Sequence, residues 1–276
     1  MSDETPPYPP YIDPAYPPLT VGLLARGLVA CGLTAGTHVI VHTKLSALGW
    51  IAGGALALIE ALQRVVTPAG TIMMPTHTSD NSDPRYWQHP PIPESWWQIY
   101  RDAVPPYDPA RTPTWGLGMT PELFRALPGV VRSGHPELSF AAWGARAAWL
   151  TADHRLELEM GEGSPLAKLY ELDGSILLIG VDHGNNTMLH LAEHRANYVG
   201  KRWMAQGCAM IVNGARQWVE YESFDHNDDD FPALGADYER EHGITVQRVG
   251  RADVRLLRAR PLIDYAVGWL ESHRRG

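Results

Sequence analysis

The sequence predicts one α/β domain built on a mixed central sheet flanked by helices. Three observations carry that expectation. Residues 37–78 alternate apolar strand, amphipathic helix and apolar strand, the pattern of a βαβ unit with a right-handed crossover. The last third instead alternates short β-rich runs with turn residues, which points to antiparallel strands. Between these parts no linker or shift of composition marks a boundary. Residues 19–276 therefore read as one domain, preceded by a proline-rich arm over residues 1–18.

The arm, MSDETPPYPPYIDPAYPP, is polyproline-like and suits a chain lying on the surface or on a neighbouring subunit, as in a homodimer. Next, residues 19–33 place Leu23, Leu24, Leu28 and Cys31 at helical spacing, with Gly32 or Gly36 as the stop. The β-branched run THVIVHT (37–43) predicts a buried strand. GALALIEALQRVV (54–66) returns to the helical period, and GTIMMPTHT (70–78) predicts a second strand. Residues 80–114 turn polar, aromatic and proline-rich, which predicts a long functional loop or lid with a short helix over 95–103. Capped helices follow at 120–127 and 164–172, a buried strand at 175–181, and a helix opening on Asn186 or Thr187. Antiparallel strands are expected at 208–214, 216–224, 244–250 and 252–259, with turns at Asn213–Gly214 and Gly250. The closing helix, 260–273, carries Pro261 in its first turn.

Composition narrows the function classes. The chain has 276 residues, 45% of them hydrophobic and 20% charged, an ordinary globular balance and long enough to fold without disulfides or structural metals. Two cysteines, Cys31 and Cys208, are too few for a disulfide framework and suit a reducing cytoplasm. The N-terminus lacks a signal peptide's charged and apolar regions, and no apolar run is long enough to span a membrane. A net charge of −8 disfavours nucleic acid and anionic lipid and favours polycations.

Four constellations offer chemistry. His190-Leu191-Ala192-Glu193-His194 lies on a helix, where positions i, i+3 and i+4 share a face. It fits the H-x-x-E-H pattern of a zinc peptidase, with His190 and His194 as ligands and Glu193 as base. It fits equally a metal-free acid–base site, with one imidazole taking a proton and the carboxylate supporting it. A third ligand for zinc has only vague candidates such as Glu271. The second constellation is His42-Thr43-Lys44-Leu45-Ser46, where a strand ends in polar residues and a turn leads through Gly53–Gly54 into a helix. Backbone amides there, aided by Lys44, suit phosphate oxygens, although no dinucleotide or Walker fingerprint is present. Third, Asp225-His226-Asn227-Asp228-Asp229-Asp230 packs more acid before a helix than capping alone requires, which suits a cationic ligand or a metal. Fourth, Thr76 and Ser139 sit where polar groups close strands and suit a thioester or pantetheine. No G-x-S-x-G elbow supports a serine hydrolase. Trp97, in the lid, suits cover of a sugar ring.

Taken in order, VHTKLSALG, GTIMMPTHT, PPYDPARTPTWGLGMTPELFR, GVVRSGHPELSFAAWG, GEGSPLAKLYELDGSILLIGV, NNTMLHLAEHRA and DDDFPALGADYE resemble the aminoglycoside 3-N-acetyltransferase family, over roughly residues 19–245. The resemblance implies transfer of an acetyl group from acetyl-CoA to the 3-amine of a 2-deoxystreptamine ring, by a cytoplasmic enzyme of antibiotic resistance that uses no metal. It implies His190 as general base, supported by Glu193. It places coenzyme A along His42, Thr43, Lys44, Leu45 and Ser46, with Thr76, Ser139, Arg111, Thr112 and Pro113. The polycationic substrate would lie against Asp80, Asp182, Asp228, Asp230 and Trp97. Lys44 departs from the small hydroxyl residue frequent at that place, and the 80–114 segment departs most, which bears on antibiotic spectrum. Acetyl transfer to another amine, a zinc peptidase and a catalytically silent binder of polyamines or antibiotics are the competing functions.

Overall fold

The computed structural model describes Pro9 and residues 11–275; half of the proline-rich arm, residues 1–8 and 10, lies outside the described residues. The first helix, α1 (Val21–Ala30), starts where the Thr20 hydroxyl accepts the Leu23 amide, and it buries Leu24 and Leu28. The βαβ unit expected from the sequence follows as β1 (His38–Thr43), α2 (Gly54–Val66) and β2 (Thr71–Pro75), with β1 and β2 parallel. β5 (Ser175–Ile179) lies on the other side of β1, also parallel.

Two strands that no hydrophobic run announced complete one flank. These are β3 (Val130–Arg132) and β4 (Phe140–Gly144), with β4 antiparallel to both β2 and β3. On the other flank β9 (Ala252–Arg258) runs antiparallel to β5 and carries the short edge strand β8 (Gln247–Val249). The sheet is thus mixed and seven-stranded, in the order β3-β4-β2-β1-β5-β9-β8. The C-terminal antiparallel strands divide between two places. While β8 and β9 extend this sheet, β6 (Trp203–Val212) and β7 (Ala215–Phe224) form a separate two-stranded hairpin. Its two-residue turn, Asn213–Gly214, has positive φ at both positions, as the right-handed twist of a tight hairpin demands.

Alternate residues of the central strands point to opposite faces, and each face has its own core. Val39 and Val41 join Ile72, Met74, Leu177 and Ile179 under α1, α2 and Phe124 of α4 (Met119–Arg125). Ile40 joins Met73, Phe140, Ile176 and Leu178 on the other side. That side is covered by α5 (Ala147–Thr151), α6 (Pro165–Glu171), α7 (Leu189–Arg195), α8 (Phe231–His242) and α9 (Ala259–His273). The 80–114 segment carries α3 (Glu94–Ala103), which buries none of its residues. α7 begins at Leu189, after a 3-10 turn at His183–Asn185, so Asn186 and Thr187 lie in the loop leading into it. No helix among the described residues is long and apolar enough to cross a membrane.

Candidate active site

The three parallel strands end on the same side of the sheet, at Thr43, Pro75 and Ile179, and the chain opens there into a cleft of about 840 Å³. Open α/β sheets place ligands at this position because the loops leaving the strand ends diverge. The cleft wall takes His42 and Thr43 from β1, Lys44–Ser46 from the turn after it, and His77 from beyond β2. Asn185–Thr187 and His190 close one side, Gly116–Pro121 the other, and His226, Asp228 and Phe231 cover the end.

His190 is the only one of these histidines with a hydrogen bond to a carboxylate among the described residues. α7 anchors Leu189, Leu191 and Ala192 in the core, which forces Glu193 inside as well, to 0% exposure. One turn away, His190 Nδ1 lies 2.8 Å from Glu193 Oε2. The other carboxylate oxygen accepts from Arg274 at 2.6 Å, from the Asn227 amide at 2.9 Å and from the Tyr198 hydroxyl at 3.4 Å. Burial alone would raise this carboxyl, but the bonds to His190, Arg274 and Asn227 outweigh it and hold it below the usual range. An ionised carboxylate accepts only, so Nδ1 of His190 carries the hydrogen and the lone pair lies on Nε2. The His190 ring is held between His226 and Phe231, with centroids 4.8 and 4.9 Å away.

The remaining cleft imidazoles are neutral. Burial, reinforced by the nearby His190, pushes His42 and His77 down to about 3, and His226 well below its ordinary value. Nε2 of His42, Nε2 of His77 and Oγ1 of Thr43 are shut off from solvent and have no partner within the protein. Unpaired buried polar atoms cost about 1–3 kcal/mol each, and the floor carries three unsatisfied polar atoms just beneath the cleft.

The structure brings only some of the expected binding residues here. His42, Thr43, Lys44, Leu45, Ser46 and Asp228 line the cleft with His190. Thr76 and Ser139 are instead fully buried behind it. Their hydroxyls meet at 3.2 Å, and both accept from Nε of Arg132, at 3.2 and 3.0 Å. Asp80, Arg111, Thr112 and Pro113 line a second groove of about 560 Å³ with Tyr107 and Ile211. Asp182 is exposed and caps the Gly184 amide at 2.9 Å. Asp230 is taken by Arg274, at 2.6 and 2.8 Å, which leaves Asp228 as the acid facing the cleft. Trp97 lies on α3, and the cleft lining does not include it.

The peptidase arrangement does not form. Nε2 of His194 turns away from His190 to meet Nε2 of His226 at 3.0 Å, and both oxygens of Glu193 are already engaged. Among contributors not foreseen as site residues, His77 and His226 sit beside positions that the sequence did single out, after β2 and within the acidic run. Arg274, two residues before the last, has no local signal at all, since its partners lie 44 and 81 positions away.

The fold and the sequence are shared with known proteins. A solved structure of YokD from Bacillus subtilis superposes with a TM-score of 0.92 at 40% identity, covering 95% of this chain and 97% of that one. AAC-IIIb, solved as a binary complex with CoASH, gives a TM-score of 0.83 at 33% identity, over 93% and 97% of the two chains. Aminoglycoside N(3)-acetyltransferase VII of Streptomyces paromomycinus is 38% identical over 270 residues, 92% of each chain. The family model described as aminoglycoside 3-N-acetyltransferase matches residues 40–271, and the chain belongs to that family.

Proposed function

We propose that this protein transfers an acetyl group from acetyl-CoA to the 3-amino group of the 2-deoxystreptamine ring of an aminoglycoside, with His190 as general base. The observation that carries the reading is the His190–Glu193 pair, 2.8 Å apart, with the imidazole on the cleft and the carboxylate wholly buried. The acceptor amine enters as the free base. Its nitrogen attacks the thioester carbonyl while Nε2 of His190 takes a proton from it. Glu193 stabilises the imidazolium that forms, as a buried carboxylate does for a general base. When the tetrahedral intermediate collapses, the carbon–sulfur bond breaks and the proton passes from His190 to the departing sulfur. The products are the N-acetylated antibiotic and coenzyme A, and no metal is needed to balance the step.

Coenzyme A suits the β1 end of the cleft, with Lys44 towards its phosphates and the turn at Leu45–Ser46 along the chain. The unpaired Thr43 hydroxyl lies on the same floor and suits the developing oxyanion. Asp228 supplies a carboxylate for a ring ammonium at the opposite end. The test is release of free thiol from acetyl-CoA in the presence of a panel of 2-deoxystreptamine antibiotics, polyamines and simple amines, followed by mass analysis of the product. A single added acetyl at the 3-amine supports the reading. Turnover only with the non-aminoglycoside amines moves the acceptor to another class, and no turnover at all removes the transferase assignment.

A further inference from the structure

We propose that Glu159, His194 and His226 form a binding site for one zinc-class divalent metal ion, set into the wall of the cleft beside His190. One donor atom from each of the three residues falls within 4.8 Å of the others. Nε2 of His194 and Nε2 of His226 are 3.0 Å apart. Donors around a tetrahedral ion with bonds of about 2.0–2.1 Å stand roughly 3.3 Å from one another, so the two imidazoles are already spaced for a shared ion. The third donor has to move inward, and it has a free oxygen with which to do so. Oε2 of Glu159 is buried without any partner, on a residue that is itself 0% exposed.

The shell behind these donors is in place. Oε1 of Glu159 accepts from the Ser223 hydroxyl at 2.7 Å and from the Phe224 amide at 3.3 Å and lies 3.9 Å from Nδ1 of His226, which leaves Oε2 as the unengaged oxygen. Nε2–H of His154 donates to the Glu159 carbonyl at 2.6 Å and fixes the backbone there. The His194 ring is confined by Gly161, where any β-carbon would lie 2.8 Å from Nδ1, and by Phe224, 4.7 Å away between centroids. Such second-layer contacts orient metal ligands and commonly change affinity by about 10–100-fold. One charge opposes the ion: Lys201 donates to the His194 and Ala196 carbonyls, at 2.5 and 2.9 Å. Burial keeps both imidazoles neutral, His194 down to about 4 and His226 lower than its ordinary value, and a neutral imidazole is the form that ligates. His226 lines the cleft, which gives the ion a way in.

Imidazole and carboxylate together suit zinc, cobalt or nickel rather than calcium or magnesium, which prefer all-oxygen shells. The His226 ring also contacts the His190 ring.

The experiment uses untagged, chelator-stripped protein titrated with zinc by calorimetry, and with cobalt by visible absorption. One zinc per chain is expected, with cobalt bands of a four- or five-coordinate site. Glu159→Gln and His194→Asn should each weaken zinc binding by at least ~10-fold, and His190→Gln should leave it unchanged. If Glu159→Gln fails to fold, as judged by circular dichroism, His226→Gln carries the same expectation. Absence of saturable binding overturns the proposal. So does binding that survives Glu159→Gln, or that is lost in His190→Gln, since either places the ion elsewhere. Calorimetry reads the site without turnover, so this outcome is separate from the fate of the acetyltransferase reading.

Discussion

Replacing Arg274 with alanine tests whether this residue holds the His190–Glu193 pair together. Its guanidinium is 12% exposed and bridges Glu193, Asp230 and the Asn227 carbonyl, the last at 2.6 Å. Removing one partner of a buried ion pair costs about 3–5 kcal/mol, because the other charge is left uncompensated. The lower end applies here, since Asp230 is 29% exposed and can be hydrated, and Glu193 keeps its bonds to His190 and Asn227. At about 2.1 cal/mol/K per residue, unfolding entropy for 276 residues is roughly 0.6 kcal/mol/K. A loss of about 3 kcal/mol then lowers Tm by about 5 °C, measured by calorimetry at neutral pH. Acid should close the gap. The Glu193 carboxyl is lower in the folded chain than its ordinary 4.5, so the unfolded chain binds the proton first. Its stabilisation is complete above about 4.5 and fades as pH drops through the folded-state value. The two proteins should therefore converge in that acid window. Arg274→Lys should recover only part of the loss, because one ammonium cannot reproduce a fork that reaches three acceptors. A Tm within about 1 °C of the parent at neutral pH, or a gap that does not narrow in acid, refutes the coupling.

Two further substitutions bear on the proposed reaction. His190→Gln should lower kcat by roughly 10²–10⁴-fold, the usual worth of a general base, with melting and acetyl-CoA affinity little changed; a variant that melts early but keeps its turnover per folded molecule makes the residue architectural. Asp228→Asn should raise KM for the antibiotic more than for acetyl-CoA, and added salt should weaken antibiotic binding by wild type more than by the variant, because the residue is exposed and screened. Equal effects on both substrates would assign Asp228 to the helix end instead.

What could be read from the amino acids follows the range of the interactions involved. The β1–α2–β2 unit was legible because β-branched runs and a helical period are properties of neighbouring residues. The His190–Glu193 pair was legible for the same reason, since three positions along a helix fix the geometry. β3 and β4 were not, because FAAWG is short, mixes aromatic with small residues without alternation, and follows the polar stretch SGHPEL. Thr76 and Ser139 expose the limit more sharply. Hydroxyls at strand ends can face a ligand or each other, and here Arg132, 56 positions from Thr76, draws both inward. No periodicity carries that choice. The same holds for Arg111–Pro113, whose groove is closed by Ile211 of the hairpin.

The cleft also shows how one imidazole is made different from its neighbours. His42, His77, His190 and His226 share a wall, and close packing lowers the proton affinity of His42, His77 and His226 through burial and mutual repulsion. Each is then a fixed neutral dipole at working pH, suited to hold a ligand atom and unsuited to accept a proton. His190 differs from them in its partner, the buried carboxylate of Glu193, which lies 2.8 Å from its Nδ1. That charge could not remain inside without help, and Arg274 and the Asn227 amide, which reach it from beyond α9 and beyond the β7 strand, supply it. If His190 is the base, as proposed, it is singled out by a carboxylate that residues from separate stretches of the chain converge to hold, so a five-residue helix motif depends for that role on the whole fold.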